Sequence, residues 1–354
     1  MTSPLRAIEA SDGAHFTDIF DTSLPATYGD LEAEYWSLRR GCALIDAGFR
    51  SLLQAVGPDR VSFLQGMLSN DVKGLREGRG VGAAHLTVQG RVISDLRLYA
   101  LPEVLWLDVP VHRKEVLRAS LNHYIVADDV ELLDVDDYRP LVGLEGPKAV
   151  EIASKLFGGP LGELPPLAIT EVSTPDGAPA RLVAATHAGE AGFLVFGNAG
   201  GAIELWHRAR ELGAVPVGME ALNVGRIESG VPWYGIDMDD SLIAPEVGLA
   251  EAISFQKGCY LGQEVVERAT ARGHLQKKLV QLMCSGRALP ELGTRLLQNG
   301  DDIGWITSAA WSPAYKAIVA LGYVRRTAWE PGTVLEAVMK DPATAVVGIP
   351  ARQV

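Results

Sequence analysis

Short apolar runs alternate with glycine and proline along this chain, and two stretches do so in the same order. Residues 51–56 read as a strand, Gly57-Pro58 breaks it, and a helix starts at Asp59; residues 141–145, Gly146-Pro147 and a helix over 148–156 repeat that order. Alternating apolar positions predict the strands, and apolar positions three and four apart predict the helices. Asp59 stands near its helix start, where a carboxylate caps free N–H groups and meets the dipole favourably. After the first helix, a hairpin over 85–99 turns at Gln89-Gly90, followed by a strand over 104–109 and a helix over 111–124. After the second, a hairpin over 181–196 turns at Ala188-Gly189, and a helix over 202–212 closes the stretch. The pattern predicts two copies of one α+β unit, at 45–130 and 138–213, with their hairpins in equivalent places and facing each other across a pseudo-two-fold.

An arm over 1–30, a helix over 31–40 and a short strand at 42–46 precede the copies. A helix over 219–229 follows them, stopped by Gly230 and Pro232, and then a loop rich in Gly, Pro and Asp. Beyond Gly273, strands over 278–284, 304–308, 317–324 and 333–338 predict a small all-β domain, barrel or sandwich. The expected division is a region over 1–274 and a second domain over 275–354.

A chain of 354 residues exceeds one compact core, and 47% hydrophobic with 21% charged residues is ordinary for a globular protein. A net charge of −12 argues against nucleic acid as a partner. No apolar run approaches the roughly 18 residues of a membrane span, and the N-terminus, carrying Glu9 and Asp12, lacks the apolar core of a signal peptide. Cys42, Cys259 and Cys284 are too scattered for a disulfide framework or a zinc site and suit a reducing cytoplasm. Metalloprotease, α/β-hydrolase and P-loop motifs are absent from the sequence.

The candidate chemistry lies in a few places. Cys259 sits in Lys257-Gly258-Cys259-Tyr260-Leu261-Gly262-Gln263-Glu264. A cation two residues away and flexible backbone favour thiolate, whereas a small buried hydrophobe in a turn is the plainer alternative. Asp95 lies five residues past Gly90, and Glu190 follows Gly189 directly. Each alone reads as a solvated turn carboxylate; from equivalent places in a repeat, the two would line a shared pocket. Arg226 is either a solvent ion pair or a pocket residue. Arg268, Arg272, Lys277 and Lys278 form a basic junction, either a solvated linker or an anion-steering patch. Cys42 and Cys284 fall in apolar runs and read as core.

Residues 257–264 resemble the signature of the YgfZ family, folate-binding proteins related to the glycine-cleavage T-protein and implicated in maturing or repairing iron-sulfur clusters. Other stretches resemble the wider aminomethyltransferase superfamily: Gly57-Pro58 with Phe63-Leu64-Gln65 and Asn70-Asp71, Gly90 with Ser94-Asp95-Leu96, and Gly189-Glu190-Ala191-Gly192-Phe193. Arg226-Ile227-Glu228, and Gly304-Trp305-Ile306-Thr307-Ser308 with Pro313, do so as well. The likeness spans residues 30–340. It implies two pseudo-repeated α+β parts around a central folate-binding hole, completed by a C-terminal β-barrel, with tetrahydrofolate or a one-carbon-substituted form as cofactor. It also implies Asp95 at the reactive N5/N10 edge of the folate, Glu190 on the pterin, Arg226 and Lys257 as electrostatic support, and Cys259 as a redox or ligand-exchange thiol. A carboxylate accepts two parallel N–H bonds from a pterin's aminopyrimidinone edge, and a second near N10 orients the amine and stabilises developing positive charge.

Two departures bear on the choice of activity. His187-Ala188 stands where transferases often carry Tyr-Thr, and Val109-Pro110 where Asn-Ala is usual. The leading expectation is therefore a tetrahydrofolate-binding protein assisting iron-sulfur cluster assembly or repair, with iron-sulfur client or assembly proteins as partners. The alternatives are a folate-dependent aminomethyl- or methyltransferase working through Asp95, and a non-catalytic scaffold with a vestigial folate site.

Overall fold

The computed structural model describes residues 3–135, 137–271, 275–340 and 343–348. The chain divides into two units, the first comprising Met1–Thr87, Ile93–Leu222 and Glu251–Leu261, the second Val88–Val92, Asn223–Ala250 and Gly262–Val354.

The first unit starts with helix α1 (Arg6–Ser11), a hairpin of β1 (His15–Ile19) and β2 (Thr22–Thr27), helix α2 (Leu31–Arg40) and strand β3 (Ala43–Asp46). Asp30 caps α2, its side chain accepting the Ala33 N–H at 3.0 Å. The first α+β copy runs β4 (Arg50–Val56), α3 (Arg60–Met67), β5 (Gly80–Leu86), β6 (Val92–Ala100), β7 (Leu105–Pro110), α4 (Lys114–Tyr124) and β8 (Glu131–Asp134). The second runs β9 (Arg139–Glu145), α5 (Ala149–Phe157), β10 (Ile169–Ser173), β11 (Pro179–Val183), β12 (Gly192–Gly197), α6 (Ala202–Glu211) and β13 (Val215–Pro216).

Their sheets are ordered β5-β6-β7-β4-β8 and β10-β11-β12-β9-β3-β13. Strand for strand the order is the same, except that β3 is inserted between β9 and β13. The repeat is therefore one of topology, but the expected hairpin equivalence is off by one strand. The hairpin turning at Gly90 joins β5 to β6 and corresponds to the one joining β10 to β11; the turn at Gly189 joins β11 to β12. The sequence pattern omitted β10, so Asp95 and Glu190 do not come from equivalent places.

Both Gly-Pro breaks have one cause. Gly57 and Gly146 have φ of +99° and +126°, and a Cβ there would lie 2.2 Å from the Asp129 carbonyl oxygen and 2.7 Å from that of Gly41. Only glycine tolerates both the conformation and the close approach. Asp59 does not cap α3 with its side chain; its Oδ2 instead accepts the Asp129 N–H at 2.8 Å, tying the helix start to the approach to β8.

Helices α3 and α4 cover one face of the first sheet through Leu53, Leu64, Leu98, Leu107, Leu117 and Leu121. Leu44, Val142, Leu144, Ile152, Leu205 and Trp206 do the same for the second. The two sheets meet through Leu52, Tyr99, Trp106, Val183, Leu194 and Phe196, each large side chain contributing about 1.5–3 kcal/mol by leaving water. Cys42 is buried against the second sheet, and burial raises its thiol to about 12. Helix α1 docks through a buried carboxyl pair. Glu9 is buried beside Asp46, the Tyr28 hydroxyl lies 3.4 Å from Glu9 Oε1, and burial, with the charge of Asp46, raises Glu9 to about 9. One shared proton accounts for the two oxygens, Glu9 Oε2 and Asp46 Oδ2, that otherwise lack a donor.

The second unit takes in most of helix α7 (Met219–Glu228), helix α8 (Gln263–Ala271) and six strands: β14 (Lys277–Cys284), β15 (Arg295–Gln298), β16 (Asp301–Ser312), β17 (Ala317–Arg325), β18 (Val334–Ala337) and β19 (Ala343–Val347). These close in the order β14-β17-β16-β15-β18-β19, a barrel rather than a sandwich. Leu282, Leu296, Ile306, Ile318, Val324 and Leu335 fill it, and Cys284 is buried among them with its thiol pushed up to about 11. The architecture is α+β with a C-terminal β-barrel. Among the described residues, no helix is long and apolar enough to cross a membrane.

Candidate functional site

Where the two sheets of the first unit meet, strand pairing sets four charged side chains side by side. Arg97 on β6 stands opposite Asp108 on β7, and Asp108 stands opposite Leu52 on β4, two residues beyond Arg50. Asp95 lies two residues before Arg97 and so shares its face. Asp108 is fully buried and takes nearly all the available donors. Arg50 Nε approaches its Oδ1 at 2.8 Å, the Tyr99 hydroxyl donates to Oδ2 at 3.2 Å, and Arg97 Nη1 is 3.7 Å from Oδ2.

Asp95 receives none of this. Its Oδ1 is buried and no group donates to it, and burial raises its pKa despite the nearby charges of Arg50 and Arg97. A buried acceptor without a donor is costly, and at the edge of a polar cluster it is where a ligand N–H or O–H fits.

The second copy contributes the loop between β11 and β12. Glu145, at the end of β9, accepts from Thr186 Oγ1 at 2.9 Å, from the His187 and Ala188 N–H groups at 2.7 and 3.0 Å, and from His187 Nδ1 at 2.8 Å. Burial alone would raise Glu145, but the His187 and Thr186 bonds outweigh it and hold it below its ordinary range. His187 is lowered by burial and by Arg97, which outweigh the pull of Glu145. Its Nε2 faces Arg97 Nη1 at 3.3 Å, while Arg97 Nη2 donates to the Thr186 carbonyl at 2.6 Å. Farther along the loop, Glu190 is 15% exposed and pairs with Arg39 at 2.8 Å. The Arg97 contacts thus bring the strand of Asp95 and the loop of Glu190 together.

The other expected site residues are engaged elsewhere. Arg226 is fully buried in the second unit. It donates to Asn223 Oδ1 at 2.9 Å, to the Val231 carbonyl at 3.1 Å, to Ser308 Oγ at 2.7 Å and to Asp237, with its guanidinium over the Trp233 ring. It fastens α7 and its following loop to β16, and its donors are spent there. Lys257, in the first unit, donates to the carbonyls of Gln65, Leu68 and Asn70 at 2.7, 2.6 and 2.7 Å. These carbonyls lie in the last turn of α3 and just beyond it, where a cation is favoured; burial lowers Lys257 to about 8. Cys259 is exposed on the same loop. Of the basic junction, Arg268 pairs with Glu264 at 2.5 Å within α8, Lys277 and Lys278 lie over aromatic rings of the second unit, and Arg272 is outside the described residues.

Sequence reasoning missed Arg50, Arg97, Asp108 and Glu145, and treated His187 only as a departure. The available signal was a charge inside an apolar strand, as in Leu105-Trp106-Leu107-Asp108-Val109.

Residues 5–257 match the GCVT N-terminal domain, and residues 277–350 match the glycine cleavage T-protein C-terminal barrel domain. An aminomethyltransferase of Rubrobacter xylanophilus is 30% identical over 323 residues, covering 91% of this chain and 86% of that protein. One from Halothermothrix orenii is 28% identical over 351 residues and covers 96% of each. In fold, the chain is similar to the crystal structure of the glycine cleavage system aminomethyltransferase T from Bartonella henselae, with a TM-score of 0.89, 23% identity, and 99% and 97% of the two chains covered. Curated relatives spanning this much of the chain are aminomethyltransferases. That overturns the expectation of a protein for iron-sulfur cluster assembly or repair and leaves iron-sulfur partners without support. With both its parts matched, the chain belongs to the glycine cleavage T-protein family, GCVT.

Proposed function

We propose that this chain is a folate-dependent aminomethyltransferase, with Asp95 as the residue that works on the reacting amine. The observation that carries the reading is the buried Asp95 oxygen without a donor, in a chain similar along nine-tenths of its length to aminomethyltransferases. Tetrahydrofolate is the cofactor of this family, and it supplies, when bound, the nitrogens that take up the one-carbon unit. The residues present fit it. Asp95 offers an acceptor with raised proton affinity, suited to an amine N–H whose proton must leave. Glu190 offers a carboxylate for the aminopyrimidinone edge of the pterin, held in place by Arg39. Arg50 and Arg97 offset part of the burial cost of the Asp95 carboxylate without overcoming it. The run of residues 257–264 keeps its likeness to the YgfZ branch of the superfamily, and its exposed thiol has no part in the transfer.

The test is turnover of tetrahydrofolate with an aminomethyl donor, for wild type and Asp95→Asn. Wild type should form the one-carbon-substituted folate, and Asp95→Asn should lose about 10²–10⁴-fold, as for a general acid–base group, with folate affinity changed only a few-fold. A folded wild type that binds folate yet turns nothing over, or a fully active Asp95→Asn, would sink the reading.

A further inference from the structure

Arg50, Arg97, Asp95 and Asp108 share one sheet face, and two ion pairs would be the simplest outcome. Instead Asp108 draws both arginines and Asp95 neither. Residues two apart on a strand face lie about 7 Å apart, well within reach of an arginine side chain, so something diverts Arg97. Two acceptors on the loop after β11 do so: the Thr186 carbonyl at 2.6 Å and His187 Nε2 at 3.3 Å. His187 accepts there only while its proton sits on Nδ1, and Glu145, 2.8 Å from Nδ1, fixes that tautomer.

We propose that His187 is a positioning residue: fixed by Glu145, it holds the Arg97 guanidinium on the loop and so keeps Asp95 unpaired and open to the substrate. The inference rests on the reading of Asp95 as the residue that works on the amine. A direct Arg97–Asp95 pair would lower the Asp95 pKa by about one to three units and fill the acceptor the amine needs. Protonation of His187 would place an N–H against Arg97 and release it. The charged groups facing His187 are Glu145 from β9, Arg97 from β6 and Arg50 from β4; those facing Asp95 are Arg50, Arg97 and Asp108. His187 stands where transferases often carry tyrosine, so the device belongs to this chain's own sequence.

The test is a carbon-13 NMR titration of aspartate carboxyls in the full chain without folate, with the Asp95 signal assigned by its loss in Asp95→Asn. In His187→Leu, the Asp95 pKa should fall by about one unit or more. In His187→Gln, which keeps an acceptor, it should stay within about half a unit of wild type, and adding Arg97→Ala to His187→Leu should abolish the fall. His187→Met carries the same expectation where the leucine variant does not fold. A folded leucine or methionine variant whose Asp95 titrates as in wild type overturns the proposal. The titration needs no folate, so that result leaves the transferase reading standing, whereas absent turnover in wild type overturns the reading and leaves the titration intact.

Discussion

The two α+β copies share a strand order but bury their carboxylates by different means. In the first, Asp108 is neutralised by charge, with Arg50 and Arg97 as partners and Tyr99 as a further donor. In the second, Glu145 sits in a cage of neutral donors from a single loop, Thr186, His187 and Ala188. An ion pair fails when either partner is lost, because the other stays buried and charged; a cage of N–H groups fails when its loop moves. The two copies thus share topology without sharing the chemistry of their buried carboxylates.

The largest expected effect is at Asp108. Asp108→Ala strands two arginines and should lower the unfolding free energy by about 3–5 kcal/mol, read from denaturant titration. Glu145→Gln keeps the shape and loses charge-assisted bonds, and should cost about 1–3 kcal/mol. The reverse order would break the contrast between the copies.

pH dependence sharpens it next. Glu145 is held below its ordinary range, so its contribution is present above the unfolded carboxylate value and is lost as pH falls through the folded one. The carboxyl pair of the arm has the opposite sign. With Glu9 raised from 4.5 to about 9, the folded state favours the proton, and its contribution is complete below 4.5 and lost as pH rises toward 9. Glu9→Gln should therefore flatten the alkaline decline, whose slope from this group is at most about 1.4 kcal/mol per pH unit. Thermal melts across that window that superimpose on wild type would refute the shared proton. The smallest effect is at Cys259: Cys259→Ser should leave stability within about 0.5 kcal/mol and turnover unchanged, measured in the same transfer assay as Asp95→Asn.

The fold was largely legible because its breaks are local. Gly57-Pro58 and Gly146-Pro147 announce both copies, and the long apolar strands of the barrel announce themselves. Strand β10 was not, because Ile169–Ser173 is short, half-polar and preceded by Pro160, Pro165 and Pro166. That omission misaligned the hairpins. Of the side chains gathered in the candidate site, Asp95 and Glu190 are the two that the sequence singles out, each near a turn glycine. Arg97 and Asp108 meet through strand register, and Glu145 meets His187 across an intervening helix and two strands; no local pattern encodes either meeting. Arg226 and Lys257 read as electrostatic support for the pocket, because no local pattern reveals their acceptors at Ser308, Gln65 and Leu68, far away along the chain.

The inserted strand β3 has a consequence for the order in which the chain assembles during synthesis. It emerges from the ribosome before the whole first copy, yet its pairing partner, from Val142 to Glu145, follows about a hundred residues later, and Pro216 later still. The first copy is contiguous and can close its own sheet as it appears. Strand β3 must wait with its edges unpaired, so the second sheet completes only after a long loop has closed, an entropy cost that the contiguous first copy does not meet.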